Sequence, residues 1–130
     1  MKVLQPPNWP QPKGYSNGIS AKGTMVFVAG MVGWNEKEHF ETSDFSEQAR
    51  QALKNIVTVL NEAGARPEHI TIMTWYLVDL DEYKAALKSL GKIYQEEIGK
   101  VFPAMTGIQV AGLVEDDAKL EIEVTAVIPE

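Results

Sequence analysis

Two carboxylates near the end of the chain are the first residues whose types and spacing suit chemistry. Glu121 and Glu123 fall in residues 119–127, whose apolar pattern predicts a strand. Strand side chains alternate between faces, so both carboxylates project from the same face. In a cleft with little water, such a carboxylate accepts a proton or orients an attacking water molecule. The pattern also fits a solvated sheet face or an interface ion pair, and the sequence leaves these roles open.

The turn and strand at residues 101–110 form the second candidate. Pro103 ends the preceding helical pattern, and the run after it predicts a strand. Met105 and Thr106 follow this turn directly and are expected to line a cleft, where Thr106 offers a hydroxyl and a backbone N–H. Simple packing is the alternative for both residues.

Composition and charge exclude several classes of protein. The 130 residues predict one domain, 1–130, in which four prolines make residues 1–14 an extended arm. The net charge of −6 argues against a nucleic-acid surface, since phosphate binding needs clustered lysine and arginine. The absence of cysteine excludes disulfides and thiol catalysis, and His39 and His69 have no partners at metal-ligand spacing. No apolar run reaches the roughly 18 residues of a membrane span, so the expected setting is cytoplasmic, with no membrane partner.

The hydrophobic pattern predicts an α+β fold with the element order β-β-α-β-α-β-β. Asp44 and Glu47 mark a helix start, as a cap and its partner three residues on, and Gly64 marks the end. The predicted elements are a short strand or turn at 15–19, strands at 25–31, 70–78, 104–110 and 119–127, and helices at about 45–63 and about 81–98. This order predicts a sandwich with two helices on one face of a mixed sheet.

Two of the predicted strands are apolar on both faces. In residues 25–31 and 70–78, apolar side chains occupy positions that point to either side of the sheet. Two helices cover only one face, so another copy of the chain is expected to bury part of the other. Gly30 and Gly33 predict a close approach or a bend of the backbone. Trp34 follows in a loop and is a candidate for the wall of a ligand site.

Several short segments together carry a family resemblance. They are Gly-Tyr-Ser at 14–16, Val-Phe-Val-Ala-Gly at 26–30, Gln-Ala-Arg-Gln-Ala-Leu-Lys-Asn-Ile at 48–56, Ala-Gly at 63–64, Tyr-Leu-Val-Asp-Leu at 76–80, Phe-Pro-Ala at 102–104 and Lys-Leu-Glu-Ile-Glu-Val at 119–124. In this order and spacing, the chain resembles the RidA/YjgF family of reactive-intermediate deaminases, also called the endoribonuclease L-PSP family. The resemblance implies a chorismate-mutase-like fold and a homotrimer with a cleft at each subunit interface. It also implies hydrolysis of enamine or imine intermediates, with release of ammonia and no cofactor.

The resemblance also implies roles for individual residues. Glu121 corresponds to the family's cleft glutamate and becomes the candidate catalytic residue, which activates or orients water. Tyr15 and Ser16 correspond to cleft-lining positions, where a tyrosine hydroxyl can donate to a substrate; a tyrosine that only caps the core is the alternative. Gly30 and Met31 stand where the family has Gly and Gln of a Ser-Gly-Gln motif. The full predicted substrate-binding set is Tyr15, Ser16, Gly30, Met31, Trp34, Met105 and Thr106.

Three departures from the family pattern bear on the substrate. The family's Pro-Ala-Arg-Ser/Thr motif is Pro-Ala-Met-Thr at 103–106, and the missing arginine is the one that clamps a substrate carboxylate. The Ser-Gly-Gln motif is Ala-Gly-Met at 29–31, and Leu87 replaces a frequent asparagine. The chain thus resembles the arginine-lacking subgroup, for which a 2-aminomuconate-like substrate is one expectation. The alternative is a non-catalytic trimer that binds a small metabolite or acts as a chaperone-like protein.

Overall fold

A mixed four-stranded sheet carries helices on one face in the computed structural model, which describes residues 1–130. In chain order, the elements are β1 (Lys2–Val3), β2 (Ile19–Ser20), β3 (Gly23–Met31), α1 (Phe45–Glu62), a short 3-10 helix (Pro67–His69), β4 (Ile70–Leu77), α2 (Leu80–Ala85), α3 (Leu87–Glu97), β5 (Ala104–Gln109) and β6 (Leu120–Pro129). The sheet order is β3-β6-β4-β5, with β6 antiparallel to both neighbours and β5 parallel to β4. The predicted α+β fold is confirmed.

Helix α1 packs on the sheet because one stripe of its surface is apolar. Asp44 caps its start by accepting a hydrogen bond of 2.9 Å from the backbone N–H of Glu47. Gly64, at φ +72°, adopts the left-handed conformation expected just past a helix end. The buried apolar stripe consists of Phe45, Ala49, Ala52, Leu53, Ile56 and Leu60. These side chains join one core with inward residues of the strands such as Leu120 and Ile122.

The second helical region differs from the single helix that the sequence predicts. α2 and α3 are separated at Ala86, whose backbone has φ −96° and ψ 1°. The hydroxyl of Ser89 bonds to the Ala86 carbonyl at 3.0 Å and shares a 2.7 Å hydrogen bond with Ser46 of α1. Contacts between helices therefore accompany the break, whereas alanine by itself favours an uninterrupted helix. None of the helices is long and apolar enough to cross a membrane.

The N-terminal arm has more structure than its prolines predict. β1 and β2 pair antiparallel in a small sheet of their own, so the short strand predicted at 15–19 does not join the main sheet. Ser16 instead forms an isolated parallel bridge with Ala104 at the start of β5. The arm is therefore attached beside the edge strand of the main sheet.

Gln48 joins distant backbone segments inside the core. Its side-chain nitrogen donates to the carbonyls of Thr42 and Asp117 at 3.1 and 3.0 Å, and its oxygen accepts from the N–H of Lys119 at 2.9 Å. A Cβ at Gly33 would lie 2.4 Å from the Gln48 carbonyl oxygen, which confirms the close approach predicted for Gly33. This buried amide therefore holds the loop before α1 and the start of β6 against the helix.

Replacing Gln48 with leucine is expected to lower the free energy of unfolding by about 3 kcal/mol or more, because three backbone groups lose a partner and each buried unpaired group costs about 1–3 kcal/mol. Urea denaturation at one fixed protein concentration measures the change. Gln95→Leu, on the exposed surface of α3, is the matched control and should shift stability by less than about 0.5 kcal/mol. A Gln48→Leu protein as stable as the parent would show that water replaces the amide.

Candidate functional site

Strand alternation divides the predicted site residues between two faces of the sheet. Met105 lies beside Met73, and Met73 lies beside Val124, so Met105 is on the face that the helices cover. Glu121 lies beside Tyr76 and belongs to the opposite face, called the outer face below. Within one chain, the side chains of Met105 and Glu121 therefore cannot meet, and the single cleft predicted from the sequence is not formed by one copy alone.

A cavity of about 630 Å³, called the α3 cavity below, opens on the helix side of the sheet. One wall is α3, another is the connection from α3 to β5, and a third is the N-terminal segment 13–15. The lining residues are Lys13, Gly14, Tyr15, Trp75, Tyr83, Leu87, Leu90, Gly91, Tyr94, Gln95, Gly99, Lys100, Phe102 and Met105. The volume lies within the roughly 300–1,000 Å³ of small-molecule pockets.

Aromatic side chains from five parts of the chain line the α3 cavity. Trp75 of β4 and Tyr83 of α2 pack edge to face with their ring centroids 6.4 Å apart. Trp75 is 6% exposed, and its indole N–H has no hydrogen-bond partner in the chain. The cavity wall thus contains a donor that no group of the chain satisfies. A buried donor without a partner costs about 1–3 kcal/mol.

The charges around the α3 cavity are positive. Lys13 and Lys100 are the charged residues among its lining, and neither makes an ion pair within the chain. Burial raises the pKa of Tyr83 and of Tyr94 above its ordinary value, so both hydroxyls stay neutral at neutral pH. The cavity is thus locally basic in a chain whose net charge is −6.

Glu121 lies over a glycine on the outer face. A Cβ at Gly30 would lie 2.1 Å from Oε2 of Glu121, so the missing side chain makes room for the carboxylate and confirms the predicted close approach. Gly30 falls where the pairing of β3 with β6 shifts register, between Val28 and Met31. The half-buried Glu121 carboxylate makes no hydrogen bond or ion pair within the chain, so it is free to bind water or a ligand.

A second carboxylate on the outer face is already engaged. The hydroxyl of Tyr76 donates a hydrogen bond to Glu123, and this bond raises the pKa of Tyr76 above its ordinary value. Glu123 is exposed, whereas Glu121 is half-buried. The two carboxylates predicted on one face are therefore unequal, and Glu121 is the one with free oxygens.

The two N-terminal residues of the predicted site differ in orientation. Tyr15 lines the α3 cavity and is 42% exposed. Ser16 is buried, and its hydroxyl donates to the carbonyl of Phe102 at 2.5 Å. Ser16 thus braces the segment that carries Tyr15 and does not itself line the cavity.

Three other predicted binding residues lie away from the α3 cavity. Trp34 packs against Phe40, with ring centroids 5.7 Å apart, and does not line the cavity. Met31 packs against the core at the end of β3. Thr106 is exposed on the outer face, because neighbouring residues of a strand point to opposite sides. Of the predicted set, the cavity unites Tyr15 and Met105, and the outer face carries Gly30, Thr106 and Glu121.

Several cavity residues were not singled out from the sequence. Tyr83 and Tyr94 fit the buried stripe of a helix, and Lys13 and Lys100 fit an ordinary surface. Gly91 carries the one local signal, because glycine inside a helix costs about 1 kcal/mol relative to alanine. A Cβ at Gly91 would meet no atom within 4 Å, so the glycine keeps this wall open.

Neither arginine of the chain lies at the α3 cavity. Arg50 binds Glu96 and Glu97 at 2.8 Å each and links α1 with α3. Arg66 pairs with Glu68 at 3.0 Å beside the 3-10 helix. No arginine of the same chain is thus placed to clamp a carboxylate there. No group of three or more His, Asp or Glu side chains is arranged to hold a metal ion.

Comparison with known proteins identifies the family. The endoribonuclease L-PSP family matches residues 8–128. A RutC family protein of Aquifex aeolicus is 32% identical over 130 residues, which cover 98% of this chain and 99% of the relative. A Salmonella typhimurium protein named 2-iminobutanoate/2-iminopropanoate deaminase is 32% identical over 127 residues, or 97% of each chain. The crystal structure of YyfB from Yersinia pestis, a Rid-family protein of unknown function, superimposes with a TM-score of 0.85 at 28% identity over 98% of each chain. The chain therefore belongs to the endoribonuclease L-PSP family, which is the RidA/YjgF family that its sequence resembles.

Proposed function

We propose that this protein hydrolyses an enamine or imine intermediate and releases ammonia, without a cofactor, at clefts between the subunits of a homotrimer. The observation that carries the proposal is the Glu121 carboxylate, which lies over Gly30 with no partner in its own chain. The name of the Salmonella relative, 2-iminobutanoate/2-iminopropanoate deaminase, describes a reaction of the same class. A half-buried carboxylate with free oxygens suits a reaction in which water is the nucleophile.

The reaction needs one proton acceptor and one way to expel nitrogen. Water adds to the imine carbon while Glu121 takes a proton from the water. The resulting carbinolamine carries both oxygen and nitrogen on that carbon. Glu121 returns this proton to nitrogen. A second proton then passes from the carbinolamine hydroxyl to nitrogen as the carbon–nitrogen bond breaks, so the products are ammonia and a carbonyl compound. Backbone groups near Gly30 and the hydroxyl of Thr106 hold the polar ends of the substrate on the same outer face.

Exposed apolar side chains on the outer face support assembly. Met25, Phe27, Ile72 and Ile108 all project from this face, and Phe27 is 70% exposed in the single chain. Several large apolar side chains exposed on one sheet face favour its burial in a protein interface. A second copy that covers the face also removes water from around Glu121, which strengthens its contacts with a substrate.

Assembly also resolves the division of the site between two faces. A cleft that uses Glu121 and the α3 cavity together takes the carboxylate from one subunit and the cavity from the next. The wall that contains Tyr15, Trp75 and Met105 then faces a substrate whose reacting carbon lies near the neighbouring subunit's acid. With this arrangement, a single chain is inactive because it lacks half of the site.

A second candidate function is a binding protein without turnover. Met105 stands in the cavity at the position of the family's clamp arginine, and both arginines of the chain are engaged elsewhere. We place the chain among the arginine-lacking members, and a 2-aminomuconate-like compound is one substrate that needs testing. Ammonia release from freshly generated 2-aminoacrylate and from 2-aminomuconate separates the enzyme from the binding protein.

Sedimentation equilibrium at micromolar concentration should give the mass of three chains, with no folded monomer. Phe27→Lys is expected to dissociate the trimer, because each interface then buries a charge in place of an apolar ring. Val114→Lys is the matched control, since Val114 is 92% exposed in the connection between β5 and β6 and should leave the mass unchanged. A folded wild-type monomer would contradict the proposed assembly.

Glu121→Gln should lower turnover by about 10² or more, the usual scale for a positioned acid or base, while the protein keeps its mass and melting temperature. Glutamine preserves size and most hydrogen bonds but cannot accept the proton. Glu62→Gln, at the exposed end of α1, is the control and should keep full activity. Clear wild-type deaminase activity that Glu121→Gln leaves intact would remove Glu121 from the mechanism.

Gly30→Ala tests the position of the Glu121 carboxylate without changing the chemistry of this group. The added Cβ would lie 2.1 Å from Oε2 of Glu121, so the flexible carboxylate must swing away, and turnover should fall about tenfold or more. Gly112→Ala is the control, because a Cβ there meets nothing within 4 Å. Steady-state kinetics on the same substrate compare the two variants. Equal activity of Gly30→Ala and the parent would mean that the observed carboxylate position is not the active one.

A further inference from the structure

We propose that the α3 cavity binds a flat apolar carboxylate, namely an aromatic 2-imino acid or its 2-oxo acid product, with the ring among the aromatic side chains and the carboxylate at Lys13 and Lys100. The choice of an imino acid as the substrate rests on the proposed function. The binding of ring and carboxylate is argued from the cavity itself.

The size and lining of the cavity favour an aromatic ring. A compound as small as 2-iminopropanoate would leave most of the roughly 630 Å³ empty. Trp75 and Tyr83 already meet edge to face, and a ligand ring extends this cluster toward Tyr15 and Phe102. Tyr15 and Phe102 are 42% and 49% exposed in the empty cavity, so a bound ring removes apolar surface from water.

The charges around the cavity favour an anion. Lys13 and Lys100 are exposed, unpaired and close to the same opening, and no carboxylate lines the cavity with them. Burial raises the pKa of Tyr83 and of Tyr94, and the lining contains no Asp or Glu that would compete for the ammonium groups. A ligand carboxylate in the cavity can therefore gain charge-assisted hydrogen bonds from Lys13 and Lys100.

Gly91 offers a position from which the cavity can be narrowed. It stands inside α3, where alanine would favour the helix, and a Cβ at this position would meet only open space. A larger side chain at position 91 therefore begins in open space beside the cavity. This makes position 91 a place to close the site while the fold is preserved.

Calorimetric titration of the full-length protein with three compounds tests the ligand class. Phenylpyruvate serves as the stable product analogue, pyruvate lacks the ring, and phenylacetone lacks the carboxylate. Phenylpyruvate should bind about 10- to 100-fold more tightly than pyruvate, the gain expected from burying one phenyl ring. Replacing both Lys13 and Lys100 by methionine should weaken phenylpyruvate about tenfold and leave phenylacetone unchanged. Lys92→Met, also on α3 but outside the lining, should change neither.

Variants at Gly91 test the location. Gly91→Phe should weaken phenylpyruvate more than tenfold while circular dichroism shows an unchanged or higher melting temperature. Gly91→Ala should keep most of the affinity, since a methyl group fills little of the cavity. Equal affinity for pyruvate and phenylpyruvate would overturn the proposal, and so would unchanged phenylpyruvate binding in Gly91→Phe.

The same variants separate this inference from the proposed function. If phenylpyruvate binds at the cavity but no imine is hydrolysed by the wild-type protein, the ligand class stands and the deaminase proposal fails. If small imines are hydrolysed and Gly91→Phe works as fast as the parent, the deaminase proposal stands and the ligand class fails. Glu121→Gln should bind phenylpyruvate as the parent does while losing turnover, which supports both.

Discussion

Side chains of a β-strand must alternate between its faces, and this constraint decides what can be built on the sheet. It sends Met105 toward the helices and Glu121 toward the outer face, although both belong to the same predicted site. The helix side thus holds a cavity without an acid, and the outer face holds an acid without a cavity. In the proposed trimer, assembly and activity become one property, because a neighbouring copy completes what each face lacks.

The charged side chains also divide into those that hold the fold together and those that line the cavity. Arg50 is held by two carboxylates between α1 and α3, where it supports the fold and is unavailable to ligands. The cavity is left with two lysines on flexible stems. Arginine binds a carboxylate through a rigid planar fork, whereas an ammonium group is a movable point charge. The proposed ligand would therefore be selected by the shape of the aromatic wall more than by the exact position of its carboxylate.

The sequence predicts the parts of the fold that depend on local patterns. The start of α1 follows from Asp44 and Glu47, its end follows from Gly64, and the strands follow from their apolar runs. The break at Ala86 could not be predicted, because no helix-breaking residue marks it and a contact to Ser46 accompanies it. The break at Ala86 is therefore associated with tertiary contacts and not with a local sequence signal.

The candidate site shows a similar limit. Glu121 and Gly30 could be paired by resemblance, and the structure adds the contact between them. The α3 cavity could not be predicted, because its walls come from segments far apart in the chain, and each of its tyrosines also fits a plain core stripe. Met105 and Thr106 were expected side by side in one cleft. Strand alternation separates such neighbours, and applying it to the 104–110 strand would have shown this from the sequence.

The position of β6 has a consequence for synthesis of the protein on the ribosome. β3 has no partner in the main sheet other than β6, and β6 also pairs with β4, so the last strand made is the one that unites the sheet. Gln48 likewise finds two of its backbone partners only after Asp117 and Lys119 have been made. The apolar faces of β3 and α1 therefore stay incompletely covered until β6 has been made, and apolar surface exposed in this way during folding favours aggregation.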